Sequence, residues 1–237
     1  MKRWMQNLYL KRIREAIEKY NMISDGDRIL VAVSGGKDST VLFYALNQLK
    51  RIGYKKFEVV GLTIDHGLIG NLESYHRHCV DNDMVHEIHE EHYAIALSHG
   101  KAFAPCYTCS RLRKGIVKRH AMENGYNKIA LGHTKDDLVE TFMMNMLQHG
   151  KIATMVPVST TEEGITMIRP LMLVDEKSII KSIELLAFPL MSDTCEFAKE
   201  RLRSRAEGMI NQIELTTPDF SDRVIQALGN VDFNRLL

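Results

Sequence analysis

The chain has 237 residues, 45% of them hydrophobic, with 31 Lys plus Arg against 30 Asp plus Glu. That is enough to bury one large core, so one α/β domain with small attachments is expected. A formal net charge of +1 does not mark a nucleic-acid binder, and four cysteines point to metal or catalysis over disulfides if the compartment is reducing. No apolar run is long enough to span a bilayer, and the Lys2-Arg3-Trp4 start lacks a signal peptide's apolar stretch. A cytoplasmic protein with no membrane partner is expected.

Residues 1–20 read as a helix with Met5, Leu8, Ile13, Ala16, Ile17 and Tyr20 on one face and Lys and Arg on the other. A helix packed at the domain edge is the simpler account; an RNA-contacting arm is the rival. Ser24-Asp25-Gly26-Asp27 is a turn. The stretch that organises the rest is 28–49, RILVAVSGGKDSTVLFYALNQL. A β-branched run breaks at Ser34-Gly35-Gly36, and Val41, Leu42, Ala45, Leu46 and Leu49 then recur at helical spacing. Strand, glycine turn and helix aim unpaired backbone N–H groups and a positive helix end at a phosphate. Lys37 adds a point charge, and the Ser34 and Ser39 hydroxyls add donors. A Walker A loop is excluded, because Val31 and Asp38 stand where that motif needs Gly and Ser or Thr.

Residues 57–64 read as a second buried strand ending in Asp65-His66-Gly67, with Asp65 and His66 either nucleotide neighbours or a structural strand cap. Residues 71–83 read as a helix carrying His78 and Cys79, the latter a small buried hydrophobe. A third strand spans 85–90. His86, His89 and His92 alternate along a charged stretch, which predicts a solvated face rather than a metal site. Cys106-Tyr107-Thr108-Cys109 then precedes a helix running to about Glu123. Two thiolates at that spacing reach one metal, and a helix N-terminus lowers a thiol pKa, but a lone CxxC leaves redox pair, zinc and iron–sulfur ligation open. That helix carries Arg111, Arg113, Lys114, Lys118, Arg119 and His120, the densest basic patch in the chain.

Residues 127–131 are a fourth strand, followed by Gly132-His133-Thr134-Lys135-Asp136-Asp137 and a helix burying Leu138, Val139, Phe142, Met143, Met146 and Leu147. One carboxylate of the acidic pair is expected to cap this helix, leaving the other for metal or substrate. Residues 166–171 are a fifth strand, and 175–186 a helix capped by Asp175. Cys195 follows, then a second basic run of Lys199, Arg201, Arg203 and Arg205. The tail from Asn211 to Leu237 reads as helical and polar, with no chemistry assigned to it. The alternation predicts a doubly wound, mostly parallel five-stranded sheet with helices on both faces. Residues 1–23 are expected as an N-terminal helix, 24–205 as the catalytic domain and 206–237 as a helical tail.

SGGKDS after an apolar strand resembles the loop of the PP-loop ATP pyrophosphatase superfamily. With CYTCSRLRKG, LGHTKDDLVET and the late Cys195, the chain resembles the tRNA 2-thiocytidine and 2-thiouridine synthetases. DHGLIG leans towards the second group, and CSRLRKG, GHTKDD and MNMLQHGK towards the first. The resemblance implies the adenine nucleotide alpha hydrolase-like fold and ATP, Mg²⁺ and a [4Fe-4S] cluster as cofactors. It implies adenylation of a base carbonyl oxygen in tRNA and its replacement by sulfur. Cluster ligands carry over to Cys106, Cys109 and Cys195. ATP contacts carry over to Ala32, Ser34, Gly35, Gly36, Lys37, Asp38, Ser39, Ile64 and Gly132, joined by Asp65 and His66 from the strand-end argument and by Asp136. Asp38, Lys114 and Asp136 are the implied catalytic residues. A sulfur donor such as sulfide or a cysteine desulfurase, and a homodimer, complete the expectation. The rivals are a PP-loop enzyme using a cysteine persulfide, one with a small-molecule acceptor, and a non-catalytic zinc- and nucleotide-binding module.

Overall fold

The computed structural model describes residues 9–93, 105–193 and 203–235, with backbone alone at 105, 106, 193 and 203–205. Helix α1 (Lys11–Lys19) buries Ile13, Ala16 and Ile17. The following turn is fixed by Asp27, which accepts from the Ser24 N–H at 2.6 Å and pairs with Lys128 Nζ at 2.7 Å. It delivers β1 (Arg28–Ala32), the sheet's central strand, and α2 (Lys37–Arg51). Val41, Leu42, Phe43, Ala45, Leu46 and Leu49 of α2 are fully buried. Gly61 in β2 (Glu58–Asp65) makes room for the Phe43 ring, which a Cβ there would meet at 2.7 Å. Backbone at that point must lie against an aromatic face, so only glycine fits without a shift.

The chain continues through β3 (Ile69–Gly70), α3 (Leu72–Asp81), β4 (His86–Glu90), α4 (Pro105–Glu123), β5 (Lys128–Ala130) and α5 (Lys135–His149). Then come β6 (Val158–Thr160), β7 (Thr166–Ile168), α6 (Glu176–Leu186), β8 (Ser192–Asp193), α7 (Arg203–Thr216) and α8 (Phe220–Leu228). The main sheet runs β4-β2-β1-β5-β7-β6. Every pairing is parallel except that of β6 with β7. Strand order reverses between β1 and β5, and such a switch point opens a crevice at the strand C-termini. Helix α4 covers one face through Ile116, Val117 and Ala121. On the other face α1, α2, α3, α5 and α6 share one core.

The doubly wound fold is as expected, but the sheet has six strands, not five. The extra strand β6 is a three-residue edge (Val-Ser-Thr) that turns back at 161–165 through Thr161 N–H to Ile165 O. So short a run leaves no readable alternation. His86 also departs from the expected solvated face. It is 6% exposed, its Nε2 lies 2.8 Å from Thr63 Oγ1, and its Nδ1 lies 3.1 Å from His76 Nδ1. Burial, with His76 beside it, pushes its pKa down to about 4. His89 and His92 lie on the polar side, near Glu91 and Asp65. Helices α7 and α8 bury Ala206, Ile210 and Val224 against Val139 and Met143 of α5. Among the described residues no helix is long and apolar enough to cross a membrane.

Candidate active site

The loop between β1 and α2 is shaped by short local ties. Gly35 has φ +82°, a region L side chains rarely adopt, and a Cβ there would meet the Met191 side chain at 2.4 Å. The Met191 N–H donates to Gly35 O at 3.1 Å, so the chain beyond α6 is strapped onto the loop. Ser39 Oγ accepts from the Ser34 N–H at 3.1 Å and lies 3.1 Å from both Ser34 Oγ and Gly36 O. Gly36 is the helix N-cap without a side-chain cap. The first N–H groups of α2 therefore lack intrahelical acceptors and face the loop opening.

Lys37 and Asp38 are both half-buried in the first turn of α2. Lys37 Nζ pairs with Asp38 Oδ2 at 3.2 Å and Glu176 Oε1 at 2.7 Å. Burial alone would depress the Lys37 ammonium, but Glu176 and Asp38 outweigh it and hold the pKa above its ordinary value. Lys37 stays charged. Burial raises the Asp38 carboxyl above the usual range despite Lys37, and Asp38 Oδ1 is buried without a hydrogen-bond partner. A carboxylate oxygen in that condition is a place for a cation or donor that a ligand brings.

Two further strand ends and two helix starts complete this edge. Gly132, just past β5, lies so close to α2 that a Cβ would meet Ser39 N at 3.0 Å. Neither acid of the pair at α5 is the N-cap. That role is Thr134's, in a capping box with Asp137. Asp136 accepts from the Glu176 N–H at 2.7 Å, which joins the starts of α5 and α6, and burial raises its pKa. Asp175 does cap α6, accepting from Ser178 N–H at 2.8 Å. Asp65 closes β2 by accepting from the Gly67 N–H at 2.9 Å, so the strand-cap reading applies to it. Ile64 and His66 are buried, Ala32 half-buried.

Cys106 and Cys109 both lie in the first two turns of α4, three residues apart and therefore on one helix face. Cys109 is half-exposed, with Tyr93 Oη and Arg113 Nη2 each 4.0 Å from its Sγ. Tyr93 also lies 6.1 Å, ring to ring, from His66, so one aromatic residue spans the thiol and the end of β2. Lys114 is exposed, one position round the helix from that face. The basic side chain over the thiol is Arg113. The i,i+4 spacing from Cys109 was the available signal. Cys195 lies outside the described residues, as does the basic run at Lys199 and Arg201. The chain leading to it is described: β8 pairs with β3 and Met191 touches the loop. Cys79 is buried at 0% exposure, and its thiol is pushed up to about 12 by burial. Among the described residues no three His, Cys, Asp or Glu side chains form a metal-holding group. Glu176, Tyr93 and Met191 were not singled out from sequence, because each acts across a long chain separation.

Residues 6–206 match the PP-loop domain family. A tRNA-cytidine(32) 2-sulfurtransferase of Legionella pneumophila (strain Philadelphia 1) is 38% identical over 94% of this chain and 81% of its own length. One from Coxiella burnetii (strain RSA 493) is 34% identical over 95% of this chain and 90% of its own. Among solved structures, the U34-tRNA thiolase NcsA from Methanococcus maripaludis, with its [4Fe-4S] cluster, superposes with TM-score 0.76 at 18% identity. The match covers 94% of this chain and 79% of that one. At that identity the likeness speaks for the fold.

Proposed function

The chain belongs to the PP-loop family, among the tRNA-cytidine(32) 2-sulfurtransferases, and from that premise we propose an ATP-dependent exchange of oxygen for sulfur at C2 of a tRNA cytidine. It is a tRNA thiolation enzyme. The observation that carries the finer reading is the join of two chemistries at one sheet edge. The anion-receptive loop at Gly35 and Lys37 follows β1, and beyond the C-terminal end of its parallel neighbour β2 stands His66, whose ring lies near Tyr93, the residue that reaches the Cys109 thiol.

ATP's phosphates fit the cradle of Ser34, Gly35, Gly36, Lys37 and Ser39, where the α2 N-terminus and Lys37 stabilise charge on departing pyrophosphate. The C2 carbonyl oxygen attacks the α-phosphorus, and the bond to pyrophosphate breaks. Sulfide then attacks C2, and the original oxygen leaves with AMP. Mg²⁺ fits the unpartnered Asp38 carboxylate oxygen, with Asp136 as the second carboxylate that the motif implies, and when bound it would neutralise phosphate charge. The Cys106–Cys109 pair, with a cationic side chain beside it, fits iron–sulfur ligation completed by Cys195; a bound [4Fe-4S] cluster supplies an exchangeable iron site for sulfide. The sulfur donor is sulfide or a cysteine desulfurase, and the enzyme works in the cytoplasm as a homodimer.

Cys195→Ser decides between this reading and its rivals. The expected outcome is loss of iron, of absorbance near ~400 nm and of thiolation, with ATP binding intact, while Cys79→Ser changes little because that thiol is inert. Stoichiometric zinc in a colourless wild-type protein overturns the cluster and favours a structural module. Full thiolation by iron-free protein favours a persulfide.

A further inference from the structure

Helix α4 presents two stripes. Cys106, Cys109 and Arg113 follow each other at three and four residues, and Tyr107, Arg111 and Lys114 at four and three. At about 100° per residue the second stripe lies roughly 100–140° round the helix from the first. The cations of α4 also divide. Lys118 is bonded to Glu163 and Arg119 to Glu91, whereas Arg111 and Lys114 are exposed with no acidic partner among the described residues. The Arg111 guanidinium instead lies over the Tyr107 ring, 5.7 Å from its centre. Tyr107 is 63% exposed.

A single exposed tyrosine is ordinary. One backed by a guanidinium, flanked by an unneutralised lysine and set one stripe from a sulfur-handling thiol has the chemistry that captures an unstacked nucleobase beside its phosphate. Resting on the tRNA-thiolation reading, we infer that Tyr107 and Arg111 form a stacking platform for the unpaired base next to the target cytidine, with Lys114 on the adjoining phosphate. The platform faces away from the thiol stripe, so it takes the neighbour and leaves the target free to reach the sulfur.

The test uses full-length protein and unmodified tRNA transcripts carrying 2-aminopurine one nucleotide 5′ or 3′ of the target cytidine. Wild-type protein should quench one of the two. Tyr107→Leu should lose that quenching and raise the Kd for tRNA about five- to hundredfold. Tyr107→Phe should keep both, with iron content and ATP affinity unchanged in each variant. Equal tRNA affinity and quenching in wild type and Tyr107→Leu overturns the platform alone. The same holds if Tyr107→Leu keeps its tRNA affinity but loses sulfur transfer from a cysteine desulfurase and not from free sulfide, since the face then serves a donor protein. A wild-type protein that binds no tRNA overturns the thiolation reading with it.

Discussion

Around the glycine loop, side chains and backbone hold one another in place: Ser39 ties Ser34, Met191 straps Gly35, Glu176 grips Lys37, and Asp136 holds the start of α6. On the first turns of α4 the opposite holds, with Tyr107, Leu112 and two cations that have no acidic partner among the described residues facing water. The difference suits what each region is proposed to meet. A triphosphate is small and its charge is fixed, so donors set in advance, without reorganisation, stabilise it best. An RNA loop is large and must be met from outside, by surface that stays exposed until it arrives. One edge is built inward and the other outward.

The comparison breaks first at Lys37. Lys37→Ala should lower the rate of pyrophosphate release about 10²–10³-fold, as loss of one preset charge does elsewhere, while circular dichroism stays native. It should leave tRNA affinity unchanged, which separates the two regions.

Gly35→Ala probes the same region through its backbone. A Cβ at φ +82° would drive into Met191. The expected cost is about 2–3 kcal/mol of stability, read as a lowered Tm, together with weakened ATP binding. A variant with wild-type Tm would mean that Met191 does not pack tightly on the loop.

On the outward edge, Arg113→Met and Lys114→Met should part company. Arg113 is near the Cys109 sulfur at 4.0 Å and Lys114 is not. Arg113→Met should slow alkylation of Cys109 in iron-free protein about tenfold and lower thiolation, whereas Lys114→Met should leave alkylation unchanged. Equal effects would support the catalytic role that the sequence resemblance implies for Lys114.

The smallest effect concerns salt. Neutralising Arg111 and Lys114 should reduce the slope of log affinity for tRNA against log salt by about one for each phosphate that the protein no longer neutralises. Neutralising Lys118 and Arg119 should change it less, since Glu163 and Glu91 already offset them. A larger change from the second pair would move the RNA path further along α4.

The fold class, the phosphate loop and the buried Cys79 were legible in the sequence, because each is local. An apolar strand, two glycines and a helical stripe specify strand, turn and helix without reference to distant residues, and Lys37 and Asp38 fall in place with them. Even the β/α alternation dictates a parallel sheet, since a short crossover helix leaves no other arrangement. What the tertiary structure decided lies between elements far apart in the chain. Met191 reaches Gly35, Glu176 reaches Lys37, and Tyr93 bridges His66 to Cys109 across contacts that no periodicity encodes. His86 turned inward because α3 packs His76 against it, and β6 formed because a tight turn folded a three-residue edge onto β7. Residue type sets what a side chain can do. Which partner it meets is set by the packing of helices and strands, a free-energy minimum shared over the whole core.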